Sequence, residues 1–102
     1  MGTYSNRIVA ICYDLNRPGK DYSSLIDAIK SAFPAYWHHL DSTWLVRSNL
    51  SCVEVRDLLT PHMDSNDELL VITLGGEAAW RGFNAPAVEW LNDVAGPVFN
   101  WR

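Results

Sequence analysis

The first apolar run of the chain is Ile8-Val9-Ala10-Ile11-Cys12-Tyr13-Asp14-Leu15. β-Branched and aromatic residues dominate this run, and it is too short for a helix, so it predicts a β-strand. Asn16, Pro18 and Gly19 follow and end the strand in a loop. Because both faces of the strand are apolar, the sheet that contains it must be covered on both sides.

The residues after this strand predict two helices and three more strands. Asp21 caps the first helix, whose apolar residues recur every three or four positions until Pro34 ends it. Ser51 and Glu54 form a capping box that opens the second helix, which ends at Pro61. The other predicted strands are Tyr36–Leu40, Thr43–Arg47 and Glu68–Leu74. The order βαββαβ predicts an α+β fold of the ferredoxin-like type, with a four-stranded antiparallel sheet and two helices on one face.

The length of 102 residues fits a single domain, with its core at about residues 7–75 and a C-terminal extension at 76–102. In the extension, residues 75–84 predict a loop. Pro86 begins a short helix that runs to about Asp93, Gly96 and Pro97 end it, and residues 98–101 predict a last edge strand. Two helices cover only one face of the sheet, so the other face requires the extension, a second copy, or both. The five tryptophans favour an interface, and we predict a symmetric homodimer.

The composition limits the classes of function. No apolar run approaches the ~20 residues of a membrane span, and the first residues lack a secretion signal, so we predict a cytoplasmic protein without a membrane partner. The net charge of −4 is opposite to that of a general nucleic-acid binder, so such a role needs a local basic patch or a metal ion. The sequence contains no glycine-rich phosphate loop, so we predict no nucleotide cofactor. Cys12 and Cys52 lack metal-ligand spacing and are interpreted as reduced core thiols.

Asp14 is the leading candidate for chemistry because it ends an otherwise apolar strand, where a cleft forms. One interpretation is that it binds Mg²⁺ or Mn²⁺. A single carboxylate is a poor magnesium site, so a two-fold axis beside the strand end would supply the second. The other interpretation is structural, with the Asp14 carboxylate accepting N–H groups from the turn at residues 16–19.

Polar residues near Asp14 allow the same pair of interpretations. Arg17 and Lys20 on the following loop, with Arg47 on a strand, form either a small phosphate-facing patch or scattered solvated charges. Ser42 either hydrogen-bonds a phosphate oxygen or shapes the turn between two strands.

The run Tyr13-Asp14-Leu15-Asn16, then Pro18-Gly19-Lys20-Asp21-Tyr22 and Leu40-Asp41-Ser42-Thr43-Trp44-Leu45-Val46, resembles the bacterial SinR-like proteins. Ile11-Cys12-Tyr13-Asp14-Leu15 and Asp67-Glu68-Leu69-Leu70-Val71-Ile72 also resemble the first and fourth strands of the small CRISPR-associated endonuclease subunit of spacer acquisition. Virulence-associated protein D is a further relative of this kind. The resemblance covers about residues 8–74.

The resemblance implies a ferredoxin-like homodimer in which the strand-end aspartates of both copies face each other. In active members these aspartates bind a divalent metal for phosphodiester cleavage. Asp14 matches the metal aspartate, Tyr13 its neighbour, and Ser42 the serine of these relatives.

Two functions therefore remain open at this point. The first is a homodimeric, Mg²⁺- or Mn²⁺-dependent endonuclease acting on RNA in preference to DNA, with Asp14, Tyr13 and Ser42 at its centre. Arg17, Lys20 and Arg47 would then contact the nucleic acid. The second is a non-catalytic dimeric module of the same fold, regulatory or protein-binding, in which Asp14 serves only to fix a turn.

Overall fold

The computed structural model describes residues 7–75 and 78–98. Its elements are β1 Ile8–Asp14, α1 Ser23–Ala32, β2 Tyr36–Leu40, β3 Thr43–Arg47, α2 Cys52–Leu59, β4 Glu68–Leu74 and α3 Ala85–Val98. A single 3₁₀ turn, Thr60–His62, follows α2. The strands form one sheet in the order β2-β3-β1-β4, and each neighbouring pair is antiparallel. This is a ferredoxin-like α+β fold, as predicted.

Local hydrogen bonds fix the N-terminal ends of α1 and α2. The Ser51 hydroxyl accepts a hydrogen bond from the Glu54 N–H at 3.0 Å, and the Glu54 carboxylate accepts one from the Ser51 N–H at 2.8 Å, so the predicted capping box is present. At α1 the Asp21 carboxylate accepts a hydrogen bond from the Ser23 N–H at 2.9 Å. Asp21 therefore serves the first turn of α1, although Tyr22 occupies the N-cap position.

One face of the sheet packs against α1 and α2. Alternate residues of β1 and β3 point to this side, where they meet the apolar stripes of both helices. The fully buried side chains of this core are Val9, Ile11, Leu25, Ile29, Trp44, Val46, Val55 and Leu59. Removal of these apolar side chains from water stabilises the packing of the two helices on the sheet.

The other face of the sheet is covered in part by the C-terminal extension. Leu91 and Ala87 of α3 pack against Trp37 of β2, and the Trp37 indole N–H donates to the Ala87 carbonyl at 3.2 Å. Trp80 and Trp90 complete this second core together with Ile8 and Leu45. The extension is thus one of the coverings that the two-sided apolar pattern predicted, and it lies over β2, β3 and the Ile8 and Leu74 ends of β1 and β4.

The extent of α3 differs from the prediction. We predicted a helix ending at Gly96 and Pro97, whereas α3 continues to Val98. A residue before proline normally avoids the helical region because its Cβ clashes with the proline ring, but Gly96 has no Cβ. Val98 is therefore helical rather than part of an edge strand, and residues 99–101 of that predicted strand lie outside the described residues.

The remaining part of the open face is an uncovered apolar strip that crosses all four strands. In register, Leu40 lies opposite Thr43, Thr43 opposite Cys12, and Cys12 opposite Leu70. Leu40, Leu70 and the neighbouring Ile72 remain 48%, 56% and 47% exposed. These residues, with Cys12, are called the apolar strip below.

Two sequence-based expectations can be compared with this arrangement. Cys12 and Cys52 are free thiols, but both are only half-buried rather than part of the core. Cys12 lies on the open face of the inner strand β1, and Cys52 is the first residue of α2. Within residues 7–75 and 78–98, no helix is long and apolar enough to cross a membrane.

Candidate functional site

Asp14 and Glu68 form an exposed pair of carboxylates at one end of the sheet. Asp14 is the last residue of β1 and lies directly opposite Glu68, the first residue of β4. Strand alternation places both on the face of the apolar strip, next to Cys12 and Leu70. Directly opposite residues have Cβ atoms about 4.5–5.5 Å apart, so both carboxylates can reach one ion. These two residues are called the carboxylate pair.

The Asp14 carboxylate accepts no hydrogen bond from any residue in the described part of the chain. The Asn16 side-chain amide instead donates a hydrogen bond to the Asp14 backbone carbonyl at 3.3 Å. The carboxylate that holds the following loop belongs to Asp67, which accepts the Asn16 N–H at 2.7 Å and the Asp64 N–H at 2.7 Å. The structural role considered for Asp14 is thus carried out by Asp67.

The loop after β1 is fixed by further contacts. Pro18 and Gly19 form the centre of a turn closed by a 3.2 Å bond from the Lys20 N–H to the Arg17 carbonyl. Gly19 has a φ of 81°, a conformation that glycine adopts without strain and that type II turns require at this position. The loop that follows Asp14 is consequently held in one shape.

The hydrogen bonds around Asp67 change the pKa of two groups. Partial burial alone would raise the pKa of Asp67, but the N–H groups of Asn16 and Asp64, the Tyr22 hydroxyl and the Lys20 charge together hold it below its usual value. Burial and the bond to the Asp67 carboxylate raise the pKa of Tyr22. Asp67 is therefore an ionised acceptor in this network, and Tyr22 is a donor.

Tyr13 and Ser42 lie close to Asp14 along the backbone, but their side chains have different surroundings. The Tyr13 N–H donates to the Ser42 carbonyl at 3.1 Å, which ties β1 to the β2–β3 turn. The Tyr13 side chain points to the helix side, where its hydroxyl accepts the Trp44 indole N–H at 2.9 Å. Ser42 is exposed in the turn. Tyr13 therefore supports the sheet beneath the pair, and Ser42 flanks it.

The three basic side chains do not converge on the carboxylate pair. Arg17 forms an ion pair with Asp64 at 3.0 Å, and the Lys20 ammonium lies over the Tyr22 ring at 4.9 Å from its centroid. Arg47 lies opposite Ile8 at the other end of β1, which is about 20 Å from Asp14 at the usual rise per residue. The predicted grouping of these three residues into one patch is therefore not present.

A cavity of about 290 Å³ lies between the open face of the sheet and residues 78–83. Its aromatic wall includes Trp37 and Phe83, whose rings meet edge to face with centroids 4.9 Å apart. Thr43 of the apolar-strip row and Arg81 line it as well. This space, called the aromatic cavity below, was not predicted from the sequence.

Glu68 was also not predicted as a site residue, although the order of the elements indicates its position. In a βαββαβ sheet β4 runs antiparallel to β1, so the first residue of β4 meets the last residue of β1. The acidic start of Glu68–Leu74 therefore placed a second carboxylate beside Asp14 without any two-fold axis. No signal of comparable strength marked the aromatic cavity, because its walls come from segments distant in sequence.

The candidate metal ligands at this end of the sheet are the two carboxylates of Asp14 and Glu68. Across residues 7–75 and 78–98, no three His, Cys, Asp or Glu side chains converge to hold a metal ion. Comparison of the chain with known protein families, with curated proteins and with solved structures finds no match.

Proposed function

We propose that the chain is a metal-dependent endonuclease that acts on RNA in preference to DNA, with the carboxylate pair as its metal site. The observation that carries the proposal is the position of Asp14 opposite Glu68, with no described residue bonded to the Asp14 carboxylate. The resemblance of the Tyr13–Asn16 region to the SinR-like and CRISPR-associated proteins supports the same assignment.

The pair has the properties of a divalent cation site. Like charges placed directly opposite on neighbouring strands repel each other, and a cation between them removes that repulsion. Mg²⁺ typically takes one or two protein carboxylates and completes its shell with water and substrate phosphate oxygens. When bound, such an ion orients a water molecule and neutralises charge that develops on the phosphate. Mg²⁺ and Mn²⁺ are therefore the proposed cofactors.

The surrounding residues position this pair. β1 and β4 hold Asp14 and Glu68 at fixed spacing because the two strands pair over their full length. The Asp67 network immobilises the loop behind Asp14, and the Ser42 hydroxyl is exposed on the neighbouring turn, where it can donate to a phosphate oxygen. Tyr13 has a positioning role through its bond to Trp44.

We also propose that the protein is a homodimer that meets through the apolar strip. Leu40, Leu70 and Ile72 are each about half exposed, so covering them contributes roughly half of the 1.5–3 kcal/mol that full burial of such a side chain gives, which favours a covered strip. The extension already covers β2, β3 and the Ile8 end of β1, so a second copy meets the strip at Leu70 and Ile72 of β4 and leaves the path from Thr43 to Asp14 open. A two-fold related copy is the commonest solution for such a surface.

The test is cleavage of a single-stranded RNA by the purified protein with Mg²⁺ or Mn²⁺ and with EDTA. We expect cleavage that requires the divalent ion and falls roughly a hundredfold or more in Asp14→Asn and in Glu68→Gln. Glu89→Gln, an exposed carboxylate of α3, is the matched control and should cleave as the unmodified protein does. Cleavage that survives Asp14→Asn would contradict the proposal.

A second candidate is the non-catalytic dimeric module. The dispersal of Arg17, Lys20 and Arg47 favours it, because a phosphate-binding surface would gather them near the pair. The two candidates differ in a thermal melt with added metal. Binding to the folded state raises stability by RT ln(1 + [L]/Kd), so the endonuclease predicts a higher Tm with millimolar Mn²⁺, and the module predicts none.

A further inference from the structure

We propose that the aromatic cavity receives one unstacked base of a single-stranded RNA whose backbone crosses the carboxylate pair. This inference names the substrate of the endonuclease proposed above and rests on that function. It assigns the binding of the substrate to residues of β2, β3 and the segment before α3, away from the metal site itself.

The walls of the aromatic cavity fit a flat ring. Trp37 is fixed by its indole bond to the Ala87 carbonyl at 3.2 Å, and Phe83 packs against it edge to face. Phe83 and Trp80 are half-buried side chains that line the space. Trp37 is only 4% exposed, so the rings left open to a ligand are those of Trp80 and Phe83. Bases of single-stranded nucleic acid stack on aromatic side chains, and the stacking tolerates any base because each has a π face.

The size and polarity of the cavity point to one base rather than to a larger ligand. Its volume of about 290 Å³ lies at the lower end of the range for small-molecule sites. The lining residues are apolar apart from Thr43 and Arg81. A base has apolar faces and polar edges, so it matches an apolar slot with polar groups at its margin. Arg81 is exposed and pairs with no residue in the described ranges, which leaves it available to a phosphate.

The cavity and the carboxylate pair lie on the same face of the sheet. Thr43 is opposite Cys12, and Asp14 follows Cys12 by two residues on that face. Standard strand geometry places these positions about 8 Å apart. Thr43 lines the end of the cavity nearer the pair, whereas Leu74 at its other end lies opposite Ile8, about 20 Å from Asp14 along β1. A base held at the Thr43 end therefore places the adjoining phosphate near the carboxylates. A base inside a duplex cannot enter, because it is stacked and paired, and RNA recognition by stacking takes place on single strands.

The experiment measures binding without cleavage. A fluorescein-labelled hexauridylate of 2′-O-methyl RNA is titrated with the protein in EDTA and low salt, and anisotropy gives the Kd. We expect binding that weakens about fivefold or more in Phe83→Ala and in Arg81→Gln, because one stacked base or one phosphate contact is lost. Phe83→Leu, which keeps an apolar side chain without a π face, should weaken binding similarly and replaces Phe83→Ala if that variant does not fold.

Matched controls lie on α2, on the far side of the sheet. Val53→Ala and Arg56→Gln change an exposed apolar side chain and an exposed arginine there, and both should bind as the unmodified protein does. A duplex of the same length should bind at least tenfold more weakly than the single strand.

The outcomes separate this inference from the proposed function. Binding with these losses but without metal-dependent cleavage supports the cavity and refutes the endonuclease. Cleavage with unchanged affinity in the Phe83 and Arg81 variants refutes the cavity and leaves the endonuclease. The inference is also overturned if the unmodified protein does not bind the hexauridylate or if the duplex binds equally well.

Discussion

Asp14 and Asp67 are aspartates at the same end of the sheet with opposite surroundings. Asp67 accepts hydrogen bonds from two backbone N–H groups and the Tyr22 hydroxyl, whereas no described residue bonds the Asp14 carboxylate. A carboxylate that accepts no hydrogen bond from the described residues is free to contact a ligand. The contrast supports a structural assignment for Asp67 and the proposed metal-binding assignment for Asp14.

Asp67 predicts a dependence of stability on acid pH. Because its pKa in the folded state lies below the unfolded value, the folded state binds fewer protons in acid than the unfolded state does. The resulting stabilisation is complete above the unfolded pKa, about pH 4, and is lost as the pH falls through the lower folded pKa. Urea unfolding between about pH 5 and pH 2.5 should show this loss, and Asp67→Asn should reduce it.

Two other aspartates serve as references in that experiment. The bond from Ser23 also holds the pKa of Asp21 below its usual value, so some acid dependence remains in Asp67→Asn. Asp27 is an exposed carboxylate of α1, and Asp27→Asn should retain the full acid dependence. An identical urea midpoint profile for Asp67→Asn and the unmodified protein would refute the assigned network.

Tyr13→Phe tests the positioning role of Tyr13. Trp44 is 0% exposed, and its indole N–H donates to the Tyr13 hydroxyl at 2.9 Å. Removal of that acceptor leaves a buried donor unpaired, so we expect a loss of about 1–3 kcal/mol in the free energy of unfolding in urea. Tyr36→Phe is the control, because the Tyr36 ring also packs against Trp44 at 5.2 Å while its hydroxyl bonds no described residue. Equal losses in the two variants would contradict this account.

At the scale of elements, strands and capped helices could be predicted from local sequence. β2, β3 and β4 have the predicted bounds because short β-branched and aromatic runs between breakers carry their own signal. The end of α3 could not be predicted, since Gly96 and Pro97 are usually helix terminators and the helix nevertheless continues to Val98. The signal there was ambiguous because glycine relaxes the restriction that proline imposes.

The contact between α3 and the sheet predicts a measurable cost of truncation. Leu91 is 5% exposed and packs against Trp37 of β2. Leu91→Ala should therefore lower the free energy of unfolding by about 2–4 kcal/mol, as large-to-small core substitutions do. Glu89→Ala on the exposed side of α3 should change it by less than about 0.5 kcal/mol. A Leu91→Ala variant as stable as the control would mean that the extension does not pack on the sheet.

At the scale of the molecule, the apolar strip predicts a dimer that one charge disrupts. Leu70 on the strip and Val53 on α2 are similarly exposed, at 56% and 54%. Sedimentation equilibrium should give a dimer for the unmodified protein and for Val53→Lys, and a monomer for Leu70→Lys, because a buried unpaired ammonium costs several kcal/mol. A monomeric unmodified protein, or a dimeric Leu70→Lys variant, would refute the proposed interface.

The overall topology could be predicted from the sequence, and the site only in part. The order of elements placed Asp14 at one end of the sheet. The same order implies that Glu68 lies beside it, because β4 runs antiparallel to β1. The separation of Arg47 from Asp14 follows from the same topology, because β3 runs antiparallel to β1 and its last residue, Arg47, meets the first residue of β1. The aromatic cavity depends on where the chain returns to the sheet after β4, and local patterns do not encode that path.

The most direct test of the carboxylate pair is a Mn²⁺ titration in which the electron paramagnetic resonance signal measures the free ion. The pair predicts that the folded protein removes one ion per chain from solution, and that Asp14→Asn and Glu68→Gln each weaken this binding about tenfold or more. Glu89→Gln should bind as the unmodified protein does. Equal Mn²⁺ binding by all four proteins, or none by the unmodified protein, would contradict a metal site at Asp14 and Glu68.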